Sequence, residues 1–187
     1  MAYIGIGMSL FCSVMYHMFN ASSFEMSRFL SQVDYFGIIC HITGCMLSLV
    51  YFTFYNQQTI QMIYLGLFAV IGVLCVVMNY YCLFSSVTNR MNCFQRSIFF
   101  SFIVLLSLPP QVYIGFRYSW HLVKLAFITD WLYILAAIVY SSKCPEKIYP
   151  GTFDLFNSHT IFHILIVTAG YGSTKSLSSL SHAAIIH

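Results

Sequence analysis

The chain of 187 residues is 59% hydrophobic and only 7% charged, with a formal net charge of +3 and a mean hydropathy of +0.80. A soluble domain carries about a quarter charged residues, so this composition excludes an ordinary soluble protein and predicts an integral membrane protein. The positive charge is small and scattered, and we therefore expect no nucleic acid among the partners.

Six apolar runs predict six transmembrane helices, because one membrane crossing needs about 20 apolar residues. We place these helices at about residues 2–19, 33–55, 61–84, 95–115, 119–141 and 157–173. The polar segment NASSFEMSRFLSQ is expected to separate the first two. Pro109 and Pro110 must kink or end the fourth helix, because proline has no backbone donor. The predicted fold is all-α: a multi-pass membrane helical bundle over residues 1–173, followed by a short Ser-rich tail at 174–187.

Strict alternation of six helices predicts which loops share a side of the membrane. The loops after the first, third and fifth helices carry five basic residues, against three on the opposite side. Because cytoplasmic loops carry the excess of Lys and Arg, we expect the first group to face the cytosol. The sequon that begins at Asn20 would then face the cytosol and stay unglycosylated.

Four ionisable side chains are expected at this cytosolic side. His17 closes the first predicted helix, Asp34 opens the second, and His159 and His163 open the sixth. Ionisable residues in membrane segments cost about 2.5–3.5 kcal/mol each on insertion scales, so they are functional candidates by default. The predicted topology therefore gathers a candidate site from distant parts of the sequence.

The spacing of the histidines predicts a zinc site. His159 and His163 are four residues apart and lie on one helix face, so two imidazoles can reach one ion. His17 would complete a three-histidine set, which leaves the fourth position of a tetrahedral zinc open for water, as in catalytic sites. Ser13 lies one turn before His17 and is expected to hydrogen-bond substrate or water. Asp34 is expected to accept a proton from that water or to orient it.

Each candidate also has a simpler explanation. A histidine near a helix end is usually an interfacial residue, Asp34 alone would suit a helix N-terminus, and Ser13 alone would suit packing or a bond to its own helix. His41 follows Asp34 by seven residues and is a weaker candidate for the same cavity. Asp130 lies in the middle of the fifth helix without an evident partner. Because the histidines, Asp34 and Ser13 are all predicted at one membrane face, a shared zinc site is favoured over a separate explanation for each residue.

Four segments resemble blocks of the progestin and adipoQ receptor (PAQR) family, in the family's order. They are SVMYHMF at 13–19, DYFGI at 34–38, PEKIYPGTFD at 145–154 and SHTIFH at 158–163. The resemblance extends to about residue 170 and implies a seven-helix membrane protein with a cytosolic N-terminus. The family's first helix is absent, and the C-terminal segment is unlike that of the family. We expect both departures from a truncated isoform or an incomplete gene model. Within the family, CSVMYHMF looks most like the Golgi-resident member that tethers Raf kinase.

By motif, the resemblance implies that His17, His159 and His163 bind zinc and that Asp34 contacts the zinc-bound water. Ser13 matches the family's serine one turn before the first ligand. Adiponectin receptors of the family are implicated in ceramide hydrolysis, and the wider superfamily includes alkaline ceramidases. The resemblance therefore implies a zinc-dependent lipid amidase, similar to a ceramidase and coupled to receptor signalling.

Two functions of different classes remain open. The chain is either this amidase or a non-catalytic membrane receptor or scaffold, with structural zinc and Golgi-type tethering of a signalling kinase. A channel or transporter is disfavoured because we find no pair of broken helices and no internal repeat. Expected partners are the lipid bilayer, a lipid substrate or ligand (ceramide, fatty acid or steroid), and a protein or hormone ligand. The expected location is the plasma membrane or the Golgi and other endomembranes.

Overall fold

The computed structural model describes residues 1–19, 21–84, 93–148 and 157–186, and it is helical apart from short connections. The helices are α1 (Ala2–Phe19), α2 (Phe24–Thr53), α3 (Gln58–Phe84), α4 (Cys93–Leu105), α5 (Leu108–Arg117), α6 (Trp120–Ser142) and α7 (Ser158–Ile186). No β-strand occurs in these residues. The predicted all-α fold is therefore confirmed. The sequon residue Asn20 and part of the PEKIYPGTFD block lie outside the described residues.

Among the described residues, five segments are long and apolar enough to cross a membrane. They are Ala2–Phe19, Phe24–Thr53, Gln58–Tyr81, Ser97–Arg117 and Trp120–Ser142. Large apolar side chains such as Phe11, Val73 and Trp131 are more than half exposed on these helices. Lipid supplies the apolar surroundings that such surfaces need, so the chain is a multi-pass integral membrane protein.

The chain divides into two compact units, Met1–Arg90 and Met91–His187. In the first unit, α2 packs against both α1 and α3. In the second unit, α6 packs against α4, α5 and α7. The central helix of each unit therefore carries the contacts that hold that unit together.

The second helix begins nine residues earlier than the sequence predicted. Ser23 caps α2, because its side chain accepts a hydrogen bond from the backbone N–H of Met26 at 3.1 Å. Glu25 stands in the first turn, where the helix dipole favours an acid. The prediction of a loop through NASSFEMSRFLSQ was wrong, and Asp34 does not open the helix but lies ten residues after its start. The helix dipole therefore does not explain the position of Asp34, because this residue is not in the first turn of α2.

Helices α1 and α2 run antiparallel in very close contact. The backbone N–H of Ala2 donates to the hydroxyl of Ser48 at 3.0 Å, at one end of the contact. A β-carbon on Gly5 would overlap the carbonyl oxygen of Cys40, and one on Gly37 would lie 2.9 Å from the Cα of Ser9. Small residues allow this approach, which is typical of helix pairs in membranes. The contact fixes the register between the two helices.

The prediction of a kink at the proline pair is confirmed. Helix α4 ends at Leu105, and α5 begins at Leu108 with prolines in its first turn. Proline at a first turn is tolerated because the missing N–H would have no partner there. One membrane-spanning segment, Ser97–Arg117, is therefore built from two helices.

Helix α7 is longer than predicted: it continues past residue 173 to Ile186, so the Ser-rich segment from residue 174 is helical. Its hydroxyl groups bond to carbonyls of the same helix, as Thr174 does to Tyr171 (2.8 Å) and Ser181 does to Ser178 (2.8 Å). Such local bonds satisfy serine and threonine side chains inside a helix. No proline interrupts the segment.

Two polar side chains fix the beginning of α7. The side chain of Asn157 accepts a hydrogen bond from the backbone N–H of Thr160 at 2.9 Å and so acts as the N-cap. The carboxylate of Glu146 accepts from the backbone N–H of Ser158 at 2.7 Å and also from its hydroxyl group. The hydroxyl bond holds the pKa of Glu146 below its ordinary value. The first turn of α7 is therefore held by a residue twelve positions earlier in the sequence.

We expect Gly5→Ala to destabilise the protein, because the new methyl group meets backbone rather than a movable side chain. Overpacking of this kind costs about 1–3 kcal/mol. Gly7→Ala is the matched control: apart from the backbone of its own helix and its two chain neighbours, no atom lies within 4 Å of a β-carbon at Gly7, and alanine is about 0.5–1 kcal/mol better than glycine inside a helix. Thermal unfolding in detergent measures both. Equal melting temperatures for the two variants would contradict the close contact.

We expect Glu146→Gln to loosen the start of α7. The hydrogen bonds from Ser158 favour the ionised carboxyl, so their contribution to stability is present at neutral pH and is lost as the pH falls through the lowered pKa. Hydrogen exchange, expressed as protection relative to the intrinsic rate, should show reduced protection at Ser158 in the variant at neutral pH. In the unmodified protein the same loss should appear on acidification.

The control for this experiment is Lys147→Gln, which removes a neighbouring exposed charge without touching Ser158. In this variant, the protection from hydrogen exchange at the start of α7 should match that of the unmodified protein. If Glu146→Gln leaves the protection unchanged as well, the carboxylate does not hold this helix end.

Candidate functional site

Ser13 and Asp34 meet across the contact of α1 with α2. The hydroxyl of Ser13 donates a hydrogen bond to the Asp34 carboxylate, and the Asp34 side chain is only 6% exposed. Their meeting follows from the register set at Gly5, because Ser13 lies two turns further along α1. The buried carboxylate is thus held by one hydroxyl in a fixed position, which is the arrangement that a proton acceptor needs.

His17 lies in the last turn of α1, one turn after Ser13, and its side chain is exposed. Residues four apart share a helix face, so His17 lies on the same face of α1 as Ser13. The ring of Tyr16 meets the imidazole edge-to-face, with the ring centroids 5.1 Å apart. The C-terminal end of a helix also favours a cationic side chain. Three predicted site residues therefore fall in Met1–Arg90, two of them joined by a hydrogen bond.

His159 and His163 form a close pair on α7. Their Nε2 atoms are 3.1 Å apart, and the two rings are nearly perpendicular with centroids 4.6 Å apart. Two tetrahedral ligands at the usual Zn–N distance have their nitrogens about 3.3 Å apart. The pair therefore has nearly the separation that binding of one zinc ion requires, and imidazole is a preferred ligand of zinc.

Aromatic rings surround the histidine pair. Tyr140 on α6 lies with its ring centroid 5.6 Å from that of His159 and 5.2 Å from that of Phe162. Phe162 in turn lies 5.3 Å from His163. Together with the fixed start of α7, these contacts restrict the rotation of both imidazoles. Outer contacts of this kind orient metal ligands and set their affinity.

Sequence reasoning missed the residues that support the pair: Tyr140, Glu146 and Asn157. Asn157 was recognisable, because Asn directly before an amphipathic run is a common N-cap. Glu146 belongs to the quoted PEKIYPGTFD block, but nothing in the sequence paired it with Ser158. Tyr140 carries no signal among 14 tyrosines of similar surroundings.

The two weaker candidates lie elsewhere. His41 is buried in α2, with its backbone close to Gly5 rather than at the level of Ser13. Asp130 on α6 accepts hydrogen bonds from Ser107 and Gln111, which the sequence did not identify as partners. Neither residue contributes to the Ser13–Asp34 pair or to the histidine pair in the contacts described above.

The structure thus provides two parts with different chemistry. The carboxylate–hydroxyl pair suits proton transfer, and the imidazole pair suits a zinc ion. The set of three histidines combines His17 of one unit with His159 and His163 of the other, and it stays a prediction.

Comparison with known proteins adds an independent line. The family model described as haemolysin-III related matches residues 1–172. The chain is 29% identical over 192 residues to an adiponectin receptor protein of Drosophila melanogaster, a match that covers 99% of this chain and 43% of the relative. It is 25% identical over 194 residues to progestin and adipoQ receptor-like protein 1 of Caenorhabditis elegans, covering 98% and 43% respectively.

A human relative, progestin and adipoQ receptor family member 3, is 29% identical over 175 residues, covering 87% of this chain and 54% of the relative. The chain spans about half the length of the curated relatives it matches. The family model covers nearly the whole chain, together with both parts of the candidate site. The chain therefore belongs to the haemolysin-III-related family of membrane proteins, which includes the adiponectin and progestin receptor-like proteins.

Proposed function

We propose that this chain forms the zinc-binding part of a membrane receptor that hydrolyses lipid amides. His17, His159 and His163 would hold one zinc ion near the cytosolic face. The observation that carries the proposal is the 3.1 Å separation of the Nε2 atoms of His159 and His163, which suits two ligands of one ion. The family's adiponectin receptor-like members support the choice of receptor.

A bound zinc ion would lower the pKa of its water toward 7 and polarise a substrate carbonyl. Asp34 would accept the proton that this water gives up, at a carboxylate oxygen. Ser13, predicted above to bind substrate or water, uses its hydroxyl proton for Asp34 in the structure. We therefore propose that Ser13 acts chiefly by holding the Asp34 carboxylate in one orientation.

The substrate class proposed is a ceramide-like amide. In the reaction, the oxygen of water bonds to the carbonyl carbon and the C–N bond breaks. The proton first held by Asp34 passes to the leaving amine, so that a fatty acid and a free amine result. A long-chain amide can reach such a site from the bilayer, because apolar side chains cover the outer surface of α1.

Zinc content tests the ligands. Protein purified in detergent should contain about one zinc per chain, and His17→Ala, His159→Ala and His163→Ala should each weaken binding more than about tenfold. Loss of outer-sphere partners alone costs 10–100-fold in affinity, so loss of a ligand should cost at least as much. His121→Ala is the control, because His121 is an exposed histidine at the start of α6. Equal zinc content in His121→Ala and His159→Ala would contradict the proposal.

Turnover tests the catalytic part. Asp34→Asn should keep zinc but lower fatty-acid release from a labelled ceramide by about 10²–10⁴-fold, the usual range for a general base. His121→Ala should retain full activity. A folded, zinc-loaded protein without any turnover would contradict the amidase and support the alternative, a non-catalytic receptor or scaffold with structural zinc.

A further inference from the structure

A second polar cluster lies inside the membrane-spanning part of the unit Met91–His187. One carboxylate oxygen of Asp130, Oδ2, accepts from the Ser107 hydroxyl at 2.6 Å and from Gln111 Nε2 at 2.7 Å. Gln111 Nε2 also lies 2.8 Å from Ser107 Oγ. Ser107 and Gln111 are each only 2% exposed. The cluster joins α6 to the junction of α4 with α5.

The break between α4 and α5 leaves further hydrogen-bond acceptors directly before Ser107 in the chain. In a continuous helix, the carbonyl groups of Leu105 and Leu106 would accept from residues 109 and 110, and both of these are proline. Backbone at such a break is tolerated within a membrane only where it is buried in protein or lines a polar site. Broken membrane helices in other folds use their freed carbonyl groups to bind small cations.

The cluster has more acceptors than donors. Gln111 Oε1 is buried and has no hydrogen-bond partner. Within the described part of the chain, the Asp130 carboxylate forms no ion pair with a cationic side chain; its bonds come from Ser107 and Gln111. An unpartnered buried acceptor and a carboxylate without a counterion are both costly in a membrane. A cation would satisfy both.

We propose that Asp130, Ser107 and Gln111 form a binding site for a small monovalent cation, with Na⁺ as the probe. The atoms that would bind the ion are all oxygens, and oxygen ligands suit hard cations and not transition metals. One carboxylate neutralises one positive charge, whereas a divalent ion would leave a net charge in the bilayer. Gln111 supplies its free Oε1 to the ion. The site uses none of the predicted zinc ligands and does not depend on them.

Thermal unfolding at constant ionic strength tests the site. NaCl is exchanged stepwise for N-methyl-D-glucamine chloride, whose large cation cannot enter such a cluster. The melting temperature of the whole chain in detergent should rise with Na⁺ concentration, by about 3–6 °C at ten times the dissociation constant. Asp130→Asn and Gln111→Leu should remove this dependence on Na⁺.

Gln61→Leu provides the matched control. Gln61 is another buried glutamine, and its Nε2 donates to the carbonyl of Tyr51 at 2.7 Å, far from Asp130 in the sequence. This variant is expected to melt at a lower temperature but to keep the full rise with Na⁺. A rise of equal size in Asp130→Asn would be a general salt effect and would overturn the proposal.

A measurement on the unmodified protein covers the case in which the variants fail to fold. The ²³Na NMR signal should broaden in the presence of the protein. Added Li⁺ or K⁺ should compete for the site and reduce this broadening. Absence of any broadening at millimolar protein would overturn the proposal. In Asp34→Asn, which removes the other buried carboxyl group of the described residues, an infrared band of a protonated carboxylic acid that Na⁺ leaves unchanged would also overturn the proposal, because a proton would then occupy the place of the cation.

Discussion

Polar and ionisable side chains in a membrane helix must find their partners inside the protein, because lipid offers none. This constraint explains the pairing of Asp34 with Ser13 and of Asp130 with Ser107 and Gln111. It also explains why each carboxylate finds a partner on another helix, since the interior backbone of its own helix has no free N–H to donate. The polar groups thus decide where the helices of each unit meet, and the apolar surface decides that they lie in lipid.

Close packing makes such pairing selective. At Gly5 and Gly37 the backbones of α1 and α2 approach so closely that a β-carbon would overlap the facing helix, and this close fit holds the pair in its observed register. That register delivers Ser13 to Asp34. In the other unit, a contact at a helix end has the corresponding role. Glu146, which lies outside the membrane-spanning segments, fixes the first turn of α7 by accepting a hydrogen bond from Ser158. The histidine pair directly follows this turn.

The sequence predicted those features that depend on local composition. The apolar runs, the break at the prolines and the facing of His159 and His163 all follow from hydropathy, the chemistry of proline and the helical period. It misplaced the start of α2, because Ser27, Arg28 and Gln32 looked like loop residues although Ser23 caps a helix that contains them. It also ended the last helix at residue 173, although a serine-rich segment continues that helix to Ile186. In both places, local hydrogen bonds outweighed composition.

The partners of Asp130 could not be predicted for a different reason. Ser107 and Gln111 lie 23 and 19 residues away along the chain, and their meeting depends on how α4, α5 and α6 pack. Glu146 and Ser158 pose the same problem over 12 residues. Such contacts arise from tertiary structure, whereas the i, i+4 histidine pair is a property of a single helix and was visible in the sequence.

The central claim is that three imidazoles bind one zinc ion. X-ray absorption at the zinc edge of the purified protein counts these ligands directly. We expect a first shell of nitrogen and oxygen at about 2.0–2.1 Å, with the outer-shell scattering of three imidazole rings and no sulfur. A sulfur shell at about 2.3 Å, or scattering from no more than one imidazole, would contradict the claim.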